Sequence, residues 1–272
     1  MEKVIKMELL LIGAGYLARK IITQSPNSNI IAFRRQKNSQ DLVDKATYKY
    51  TDIFRLKNFL VKNVTRTFKG SVVVMLNPST YPDNLVESVS KVACLFEQNL
   101  VKKIILVSST GIFSDGCENR IDNSYYQPIP VNKRAKKIHA IETEWCRQFK
   151  NVVVVRLGGL YCSERVVGLN SVLSDNMLDG NGEEYLNLIH SIDAARAILQ
   201  LCSTHIYKGT FLLTDCNPAV RREYYSYIAK LYGAEPPTFS NSSRKTYACA
   251  AHDVWSSLGI FPRFPNYISG LA

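Results

Sequence analysis

Two glycines and an alanine near the N-terminus have the types and the spacing that a phosphate-binding turn requires. The segment Gly13-Ala14-Gly15-Tyr16-Leu17-Ala18 fits the pattern G-x-G-x-x-G/A, directly after a predicted strand and at the start of a predicted helix. The first glycine permits a tight bend, the second lets a diphosphate approach the backbone, and Ala18 keeps helix and strand close. Unpaired amides at the start of the helix then face the phosphates. The segment therefore predicts a dinucleotide site.

Two arginines stand where a site of this kind recognises the ribose. The strand predicted at 29–33 runs directly into Arg34 and Arg35, at the distance along the chain where an acidic residue would bind a 2′-hydroxyl. A guanidinium instead pairs with a 2′-phosphate through two charge-assisted hydrogen bonds. We therefore expect NADP rather than NAD as the cofactor. The alternative interpretation is two exposed arginines at a strand end.

The elements that would position these residues alternate between strand and helix. Apolar runs without polar alternation, typical of strands buried on both faces, occur at 8–12, 29–33, 71–76, 103–107 and 151–157. Stretches with helical spacing lie between them, most clearly at 84–98. This alternation predicts the fold class, an α/β protein with a Rossmann-type, doubly wound parallel sheet.

The regular alternation ends near Leu160. Beyond it, a polar glycine-rich stretch at 178–182 precedes a helix predicted at 191–201, a strand at 210–214 and a helix at 221–231. We therefore predict an NAD(P)-binding Rossmann domain at residues 1–160 and a smaller C-terminal substrate-binding subdomain at residues 161–272. Some segments of the subdomain, such as the helix at 191–201, are expected to return to the Rossmann half.

These residues resemble a known family over nearly the full chain. The sequence is similar to the extended and atypical short-chain dehydrogenase/reductases, also called the NAD-dependent epimerase/dehydratase family, and within it to the poorly characterised YeeZ-like atypical group. The segments that carry the resemblance, in chain order, are Gly13 to Ala18, Asp52-Ile53, Leu106 to Phe113, Val155 to Tyr161 and Leu188 to Asp193.

The resemblance implies a set of cofactor contacts. In the family, the pair that matches Asp52 and Ile53 follows the third strand and touches adenine. No metal ligand is expected. The predicted cofactor-binding residues are Gly13, Gly15, Tyr16, Leu17, Arg34, Arg35, Asp52, Ile53, Asn77, Ser108 and Gly159.

The resemblance also implies catalytic residues, and here the sequence departs from the family. Ser109 would hydrogen-bond the reacting carbonyl or alcohol, although a serine that merely caps a strand is the alternative. The family places a tyrosine four residues before a lysine that lowers the pKa of the phenol. Asn132 stands four residues before Lys136, so the tyrosine is missing. Lys136, which is placed among the predicted catalytic residues, or Lys137 is still expected to hold the nicotinamide ribose.

A substitute proton donor must therefore come from elsewhere. We place Tyr161 among the predicted catalytic residues, with Tyr125, Tyr126 and, last, His139 as further candidates. For all four, packing or surface exposure is the more common explanation. The Y-x-x-x-K formed by Tyr16 and Lys20 lies in the phosphate turn, which excludes it as the catalytic pair.

Composition narrows the class of protein. The net charge of +11 is concentrated between Arg19 and Lys69, and aromatic residues do not interleave with these charges as they would on a surface that stacks single-stranded nucleic acid. The seven cysteines are odd in number and lack C-x-x-C pairs, which indicates reduced thiols. No apolar stretch approaches membrane-spanning length, so we expect a cytoplasmic protein. By analogy with the family, a homodimer is slightly favoured over a monomer.

Three functions remain open at this point. The first is an NADP-dependent oxidoreductase or epimerase-like enzyme that acts on a carbonyl or secondary alcohol of a small polar metabolite. The second is a catalytically inactive NADP-binding sensor or regulator, which the missing tyrosine favours. The third and weakest is a nucleic-acid-binding protein on a dehydrogenase-like scaffold. Fold analogy alone does not choose among them.

Overall fold

The computed structural model describes residues 7–42, 45–55, 68–113, 120–121, 124, 126–174, 177–242, 246–250 and 252–272. The chain divides into two compact units that interleave along the sequence. The first unit comprises residues 1–108, 137–155 and 195–211, and the second comprises 109–136, 156–194 and 212–272. The predicted division at residue 160 is linear, whereas these units exchange segments, and the larger part of the helix predicted at 191–201 lies in the first unit.

The strands and helices predicted from the sequence are present in the predicted order, and the structure adds short elements that no sequence pattern indicated. The strands are β1 Glu8–Ile12, β2 Asn29–Arg34, β3 Thr47–Tyr50, β4 Ser71–Val74, β5 Lys103–Ser109, β6 Arg120–Ile121, β7 Val152–Leu157, β8 Gly159–Tyr161, β9 Tyr185–Leu186, β10 Leu188–His190, β11 Gly209–Leu213, β12 Ala219–Val220 and β13 Ala248–Cys249. The helices are α1 Tyr16–Gln24, α2 Leu85–Ala93, α3 Lys133–Gln148, α4 Leu169–Leu173, α5 Ser191–Ser203, α6 Arg221–Tyr232, α7 Asp253–Leu258 and α8 Tyr267–Leu271.

A seven-stranded sheet with the order β11-β7-β5-β4-β1-β2-β3 forms the centre of the fold. The strand β1 pairs in parallel with both β2 and β4, so the order of the strands reverses at β1. The four residues of β4 are all buried, as are the six of β7, because helices cover both faces of a parallel sheet. The predicted α/β fold with a Rossmann-type sheet is confirmed.

The core of the first unit lies between this sheet and the helices α2 and α3. Val89 and Val92 of α2 and Trp145 of α3 are fully buried, and the indole nitrogen of Trp145 donates to the Tyr81 hydroxyl at 3.1 Å. The helix predicted at 84–98 is shorter than expected, because α2 ends at Ala93. The following turn buries Leu95 and Phe96. Because Phe96 stands at helical spacing from the buried residues of α2, the sequence pattern extended past the end of the helix.

A buried lysine closes the end of α5 in the same unit. Lys103 is completely buried at the start of β5, and its ammonium donates to the backbone carbonyls of Leu201, Thr204 and Ile206 at 2.8, 2.7 and 2.6 Å. Burial lowers the pKa of Lys103 to about 8, so the ammonium form with its three donors still predominates at neutral pH.

The second unit has its own small core and short strand pairs. The strand β8 pairs in parallel with β10, β12 pairs antiparallel with β9, and β13 pairs in parallel with β6. The carboxylate of Asp193 accepts the amides of Arg263 and Phe264, both at 2.9 Å, which ties the C-terminal segment to the start of α5. The aspartate of the family-like segment Leu188 to Asp193 therefore serves the structure of this unit.

Within the part of the chain that the structure describes, no helix has the length and apolar character needed to cross a membrane. The cytoplasmic location stays a prediction.

Candidate functional site

The turn between β1 and α1 depends on the first glycine of the motif. Gly13 has a φ of +82°, and a Cβ at this position would lie 2.9 Å from the Met75 carbonyl oxygen. The amides of Gly13 and Ala14 both donate to the Phe33 carbonyl, at 3.0 and 2.8 Å. These two bonds join the turn to the end of β2, directly before the two arginines.

The second glycine leaves open space in front of α1. A Cβ at Gly15 would meet no atom closer than the Gly13 carbonyl oxygen, at 3.9 Å. The helix begins at Tyr16 with Gly15 as its N-cap, and no side chain caps it. A helix start that lacks a side-chain cap and faces open space suits an anion, because its first amides have no acceptor within the helix.

A cavity of about 700 Å³ extends from this turn along the ends of the neighbouring strands. The structure brings together at its walls most of the predicted cofactor-binding residues, namely Gly13, Gly15, Arg34, Arg35, Asp52, Ile53 and Asn77. Ala14, the residue between the two glycines of the motif, also lines the cavity. The structure adds residues that no motif indicated, namely Gln36, Thr51, Phe54, Arg55, Met75, Leu76, Thr80 and Pro82. All of them belong to the first unit.

Local hydrogen bonds fix the polar side chains on one side of this cavity. The Phe54 amide donates to the Asp52 carboxylate at 3.1 Å, and Arg55 lies 3.6 Å from the same carboxylate. The Asn77 side-chain oxygen accepts from the amide and the hydroxyl of Ser79, at 3.1 and 3.0 Å. Both side chains are thus hydrogen-bonded within their own loops.

The two arginines at the end of β2 differ in their surroundings. Arg34 is partly buried, and its Nη1 lies 2.7 Å from the carboxylate of Asp41. Arg35 is exposed. Sequence reasoning treated both as phosphate ligands and missed Asp41 as a partner, because its position depends on the short 3₁₀ helix Ser39–Leu42, which no pattern predicted.

The remaining predicted cofactor contacts do not line this cavity. Tyr16 and Leu17 form the first turn of α1, with the Leu17 side chain buried. The Ser108 hydroxyl donates to the buried carboxylate of Glu142. Gly159 lies in β8 of the second unit, where an added Cβ would approach a methyl group of Leu188 to 3.2 Å. Their roles stay predictions.

The predicted catalytic segment has the local structure of two capping motifs. The Ser109 hydroxyl oxygen accepts the amide of Gly111 at 3.0 Å and so caps the 3₁₀ helix Thr110–Ile112. At the position of the missing tyrosine, the Asn132 side chain accepts the amide of Ala135 at 2.9 Å at the start of α3. Lys136 follows on this helix and is exposed.

The candidate proton donor Tyr161 is packed inside the second unit. Its side chain is completely buried, and its hydroxyl donates to the Asn266 carbonyl at 2.8 Å. Burial, and next the charge of Asp215, raise the pKa of this phenol far above its usual value. A phenol with a high pKa and a fixed acceptor is a poor acid, so these contacts disfavour Tyr161 as a proton donor. Its catalytic role stays a prediction.

The other candidates differ in position. Tyr126 packs edge-on against Phe113, with ring centroids 5.8 Å apart, and its carbonyl accepts from Arg156 at 3.3 Å. His139 is exposed on α3. Tyr125 lies outside the described residues. Among the residues that are described, no cluster of three His, Cys, Asp or Glu side chains could hold a metal ion.

Comparisons with known proteins support the fold. No family model matches the chain. Protein YeeZ of Escherichia coli K12 is 27% identical over 172 residues, which cover 61% of this chain and 60% of YeeZ. The matched segment thus spans less than two thirds of that relative.

Two solved enzymes share the architecture. The dTDP-glucose 4,6-dehydratase of Bacillus anthracis in complex with NAD has a TM-score of 0.77 at 16% identity, over 97% of this chain and 94% of the other. The UDP-glucuronic acid 4-epimerase of Bacillus cereus in complex with NAD has a TM-score of 0.75 at 13% identity, over 97% and 96%. The resemblance to the epimerase/dehydratase family is therefore confirmed at the level of the fold, with a weaker likeness to YeeZ in sequence.

Proposed function

We propose that the chain is an NADP-dependent oxidoreductase or epimerase-like enzyme that acts on a carbonyl or secondary alcohol of a small polar metabolite. The observation that carries this proposal is one continuous cavity of about 700 Å³ that joins the glycine turn to Arg34, Arg35 and Asp52. An extended ligand with a diphosphate near one end and an adenosine ribose near the other matches this arrangement.

Each part of the cavity suits one part of such a ligand. The amides of the first turn of α1 would bind the diphosphate, Asp52 and Ile53 would contact adenine, and the arginines would meet a 2′-phosphate. When bound, a nicotinamide dinucleotide supplies hydride transfer. NADP is preferred in this proposal because the end of β2 carries cations where an acidic residue would bind a 2′-hydroxyl.

The chain's own residues would orient the substrate. Ser109 accepts a hydrogen bond from Gly111, which leaves its hydroxyl hydrogen to donate to a substrate oxygen. Lys136 is exposed and free to bind a ribose hydroxyl. Tyr161 stays a predicted proton donor, although its hydroxyl already donates to Asn266.

A second candidate function is an NADP-binding sensor without chemistry. It is favoured by the structural use of Asn132, which caps α3 at the position where the family carries its tyrosine. In this case the cavity would bind the dinucleotide, and the binding itself would be the signal.

Binding and turnover distinguish these functions. We expect NADPH fluorescence titration to show saturable binding, stronger than that of NADH, and a panel of small carbonyl compounds to contain at least one that oxidises NADPH. Ser109→Ala should then lower kcat about a hundred-fold and leave the Kd of NADPH unchanged. Ser90→Ala, an exposed serine on α2, serves as the control. Tight NADPH binding with no turnover on the panel would favour the sensor, and no binding of either cofactor would end both proposals.

A further inference from the structure

A buried carboxylate lies beneath the end of β2. The Asp41 side chain is completely buried, and it accepts from Arg34 at 2.7 Å, from the Asn38 amide at 2.9 Å and from the Tyr50 hydroxyl at 3.1 Å. Burial and this hydrogen bond raise the pKa of the Tyr50 phenol, so it remains a donor. A buried carboxylate is tolerated only with such a set of partners, which makes Asp41 the anchor of the loop after β2.

This anchor changes what Arg34 offers to a ligand. Its guanidinium is engaged by Asp41, its side chain is only 19% exposed, and the two charges compensate each other. A 2′-phosphate brings nearly two negative charges and needs an uncompensated cation. Arg34 can therefore form part of the wall, but its charge is already neutralised.

Arg35 is the neighbouring cation that keeps its charge. It lines the same cavity and is exposed, and it forms no ion pair within the described part of the chain. The other arginine at this end, Arg55, lies 3.6 Å from the carboxylate of Asp52. Among the described arginines that line the cavity, Arg35 is thus the one without a carboxylate within ion-pair distance.

We propose that Asp41 is a positioning residue that holds Arg34 as a neutralised part of the wall and assigns the 2′-phosphate to Arg35. By withholding one of two adjacent cations, Asp41 limits how strongly the cavity prefers NADPH to NADH. This inference rests on the proposed function of the cavity. It adds that Arg35 binds the 2′-phosphate and that Asp41 limits the preference for NADPH over NADH.

Four proteins test this assignment: the wild type, Arg35→Ala, Asp41→Asn and the double variant. The Kd values of NADPH and NADH are measured by fluorescence titration at fixed salt. Arg35→Ala should lower the ratio of NADPH to NADH affinity at least about ten-fold, as expected for a lost charge-assisted hydrogen bond. Asp41→Asn should raise the ratio several-fold, because Arg34 is released toward the phosphate. The double variant should recover part of the preference that Arg35→Ala loses.

The control is Tyr50→Phe, which removes one hydrogen bond from Asp41 but leaves its charge, and it should keep the ratio within about two-fold. If Asp41→Asn fails to fold, Arg35→Ala still decides whether Arg35 carries the preference, and Arg34→Ala decides the role of Asp41. An arginine already neutralised by Asp41 can be removed with little change in the ratio, whereas one that binds the phosphate cannot. An unchanged ratio in Arg35→Ala, or a double variant with no recovery, overturns the assignment while the cofactor site stands. If the wild type binds neither cofactor, the proposed function fails and this inference falls with it.

Discussion

At the scale of single residues, three buried polar side chains are held by backbone atoms. Lys103 donates to three carbonyls, Asp193 accepts two amides, and Tyr161 donates to the Asn266 carbonyl. Backbone partners are fixed by the fold and not by residue type, so such contacts leave no pattern in the sequence. A tyrosine or aspartate that stands at a family position can therefore serve the structure in this chain.

Tyr161→Phe tests this use of a predicted catalytic residue. The ring stays packed, but the hydrogen bond to the Asn266 carbonyl is lost, so the free energy of unfolding should fall by about 1 kcal/mol. The Kd of NADPH should not change. Urea denaturation and fluorescence titration measure the two effects, and Tyr232→Phe on the exposed face of α6 is the control. Unaltered stability together with a hundred-fold loss of turnover would instead identify Tyr161 as the proton donor.

The contacts of Ser109 and Asp41 show which features of the candidate site the sequence alone does not predict. The glycine spacing predicted one end of the cavity, and the arginines after β2 predicted the other. Both were predictable because each follows a strand whose end is visible in the sequence. The hydrogen bond from Gly111 to Ser109 and the ion pair of Arg34 with Asp41 were not predictable, since both depend on 3₁₀ helices of three or four residues. Short helices of this kind have no period to detect.

At the scale of elements, the connection from β1 to α1 assigns separate tasks to two glycines. Gly13 is needed by the fold, because its φ is positive and the Met75 carbonyl lies where a Cβ would be. Gly15 has a φ of −98°, and a Cβ added there would meet no atom closer than 3.9 Å, so no neighbouring atom excludes a side chain. The same substitution at the two positions should therefore have different effects.

Gly13→Ala should destabilise the protein by about 1 to 3 kcal/mol, through backbone strain and the close approach to Met75. Gly15→Ala should destabilise it less, by about 0.5 to 1 kcal/mol, because alanine is a poorer N-cap than glycine, and it should weaken NADPH binding at least about ten-fold, because its methyl group would occupy the space proposed for the diphosphate. Denaturation midpoints and NADPH titrations of both variants check the pair. Equal NADPH affinity in Gly15→Ala and the wild type would remove the diphosphate from this turn.

The elements themselves were largely predictable. The strand predicted at 8–12 coincides with β1, and the helix predicted at 221–231 differs from α6 by one residue. Where the helix at 84–98 failed, buried side chains in a turn imitated the spacing of a helix. Hydrophobic spacing indicates which side chains are buried, but it does not predict the backbone hydrogen bonds that end α2 at Ala93.

At the scale of the whole molecule, the second unit holds a carboxyl group that resists ionisation. Asp215 follows β11 and is 3% exposed, and among the described residues its Oδ2 has no hydrogen-bond partner. Burial, with a smaller contribution from Asp193, raises the pKa of Asp215 to about 8. The folded chain therefore keeps this proton across a range where the unfolded chain, with a pKa near 4, has released it.

This difference makes stability depend on pH. Between about pH 4 and pH 8 the folded state binds more protons than the unfolded state, so the contribution of Asp215 to stability falls as the pH rises, by at most about 1.4 kcal/mol per pH unit. Asp215→Asn removes this dependence, and its stability relative to the wild type should increase from pH 5 to pH 8. Urea denaturation at several pH values measures the trend. Glu235→Gln, which replaces an exposed acid, should run parallel to the wild type. Parallel curves for Asp215→Asn would show that this group ionises normally.

The buried ammonium of Lys103 has a consequence for biosynthesis. Its acceptors lie 98 to 103 residues later in the chain, and the segment 195–211 that carries them belongs to the same unit as the N-terminal strands. Until the ribosome has added these residues, the ammonium of Lys103 at the start of β5 lacks the carbonyl acceptors that make its burial tolerable. The first unit, whose N-terminal strands are translated early, is thus completed late, and a nascent chain halted before residues 195–211 would hold an unfinished sheet.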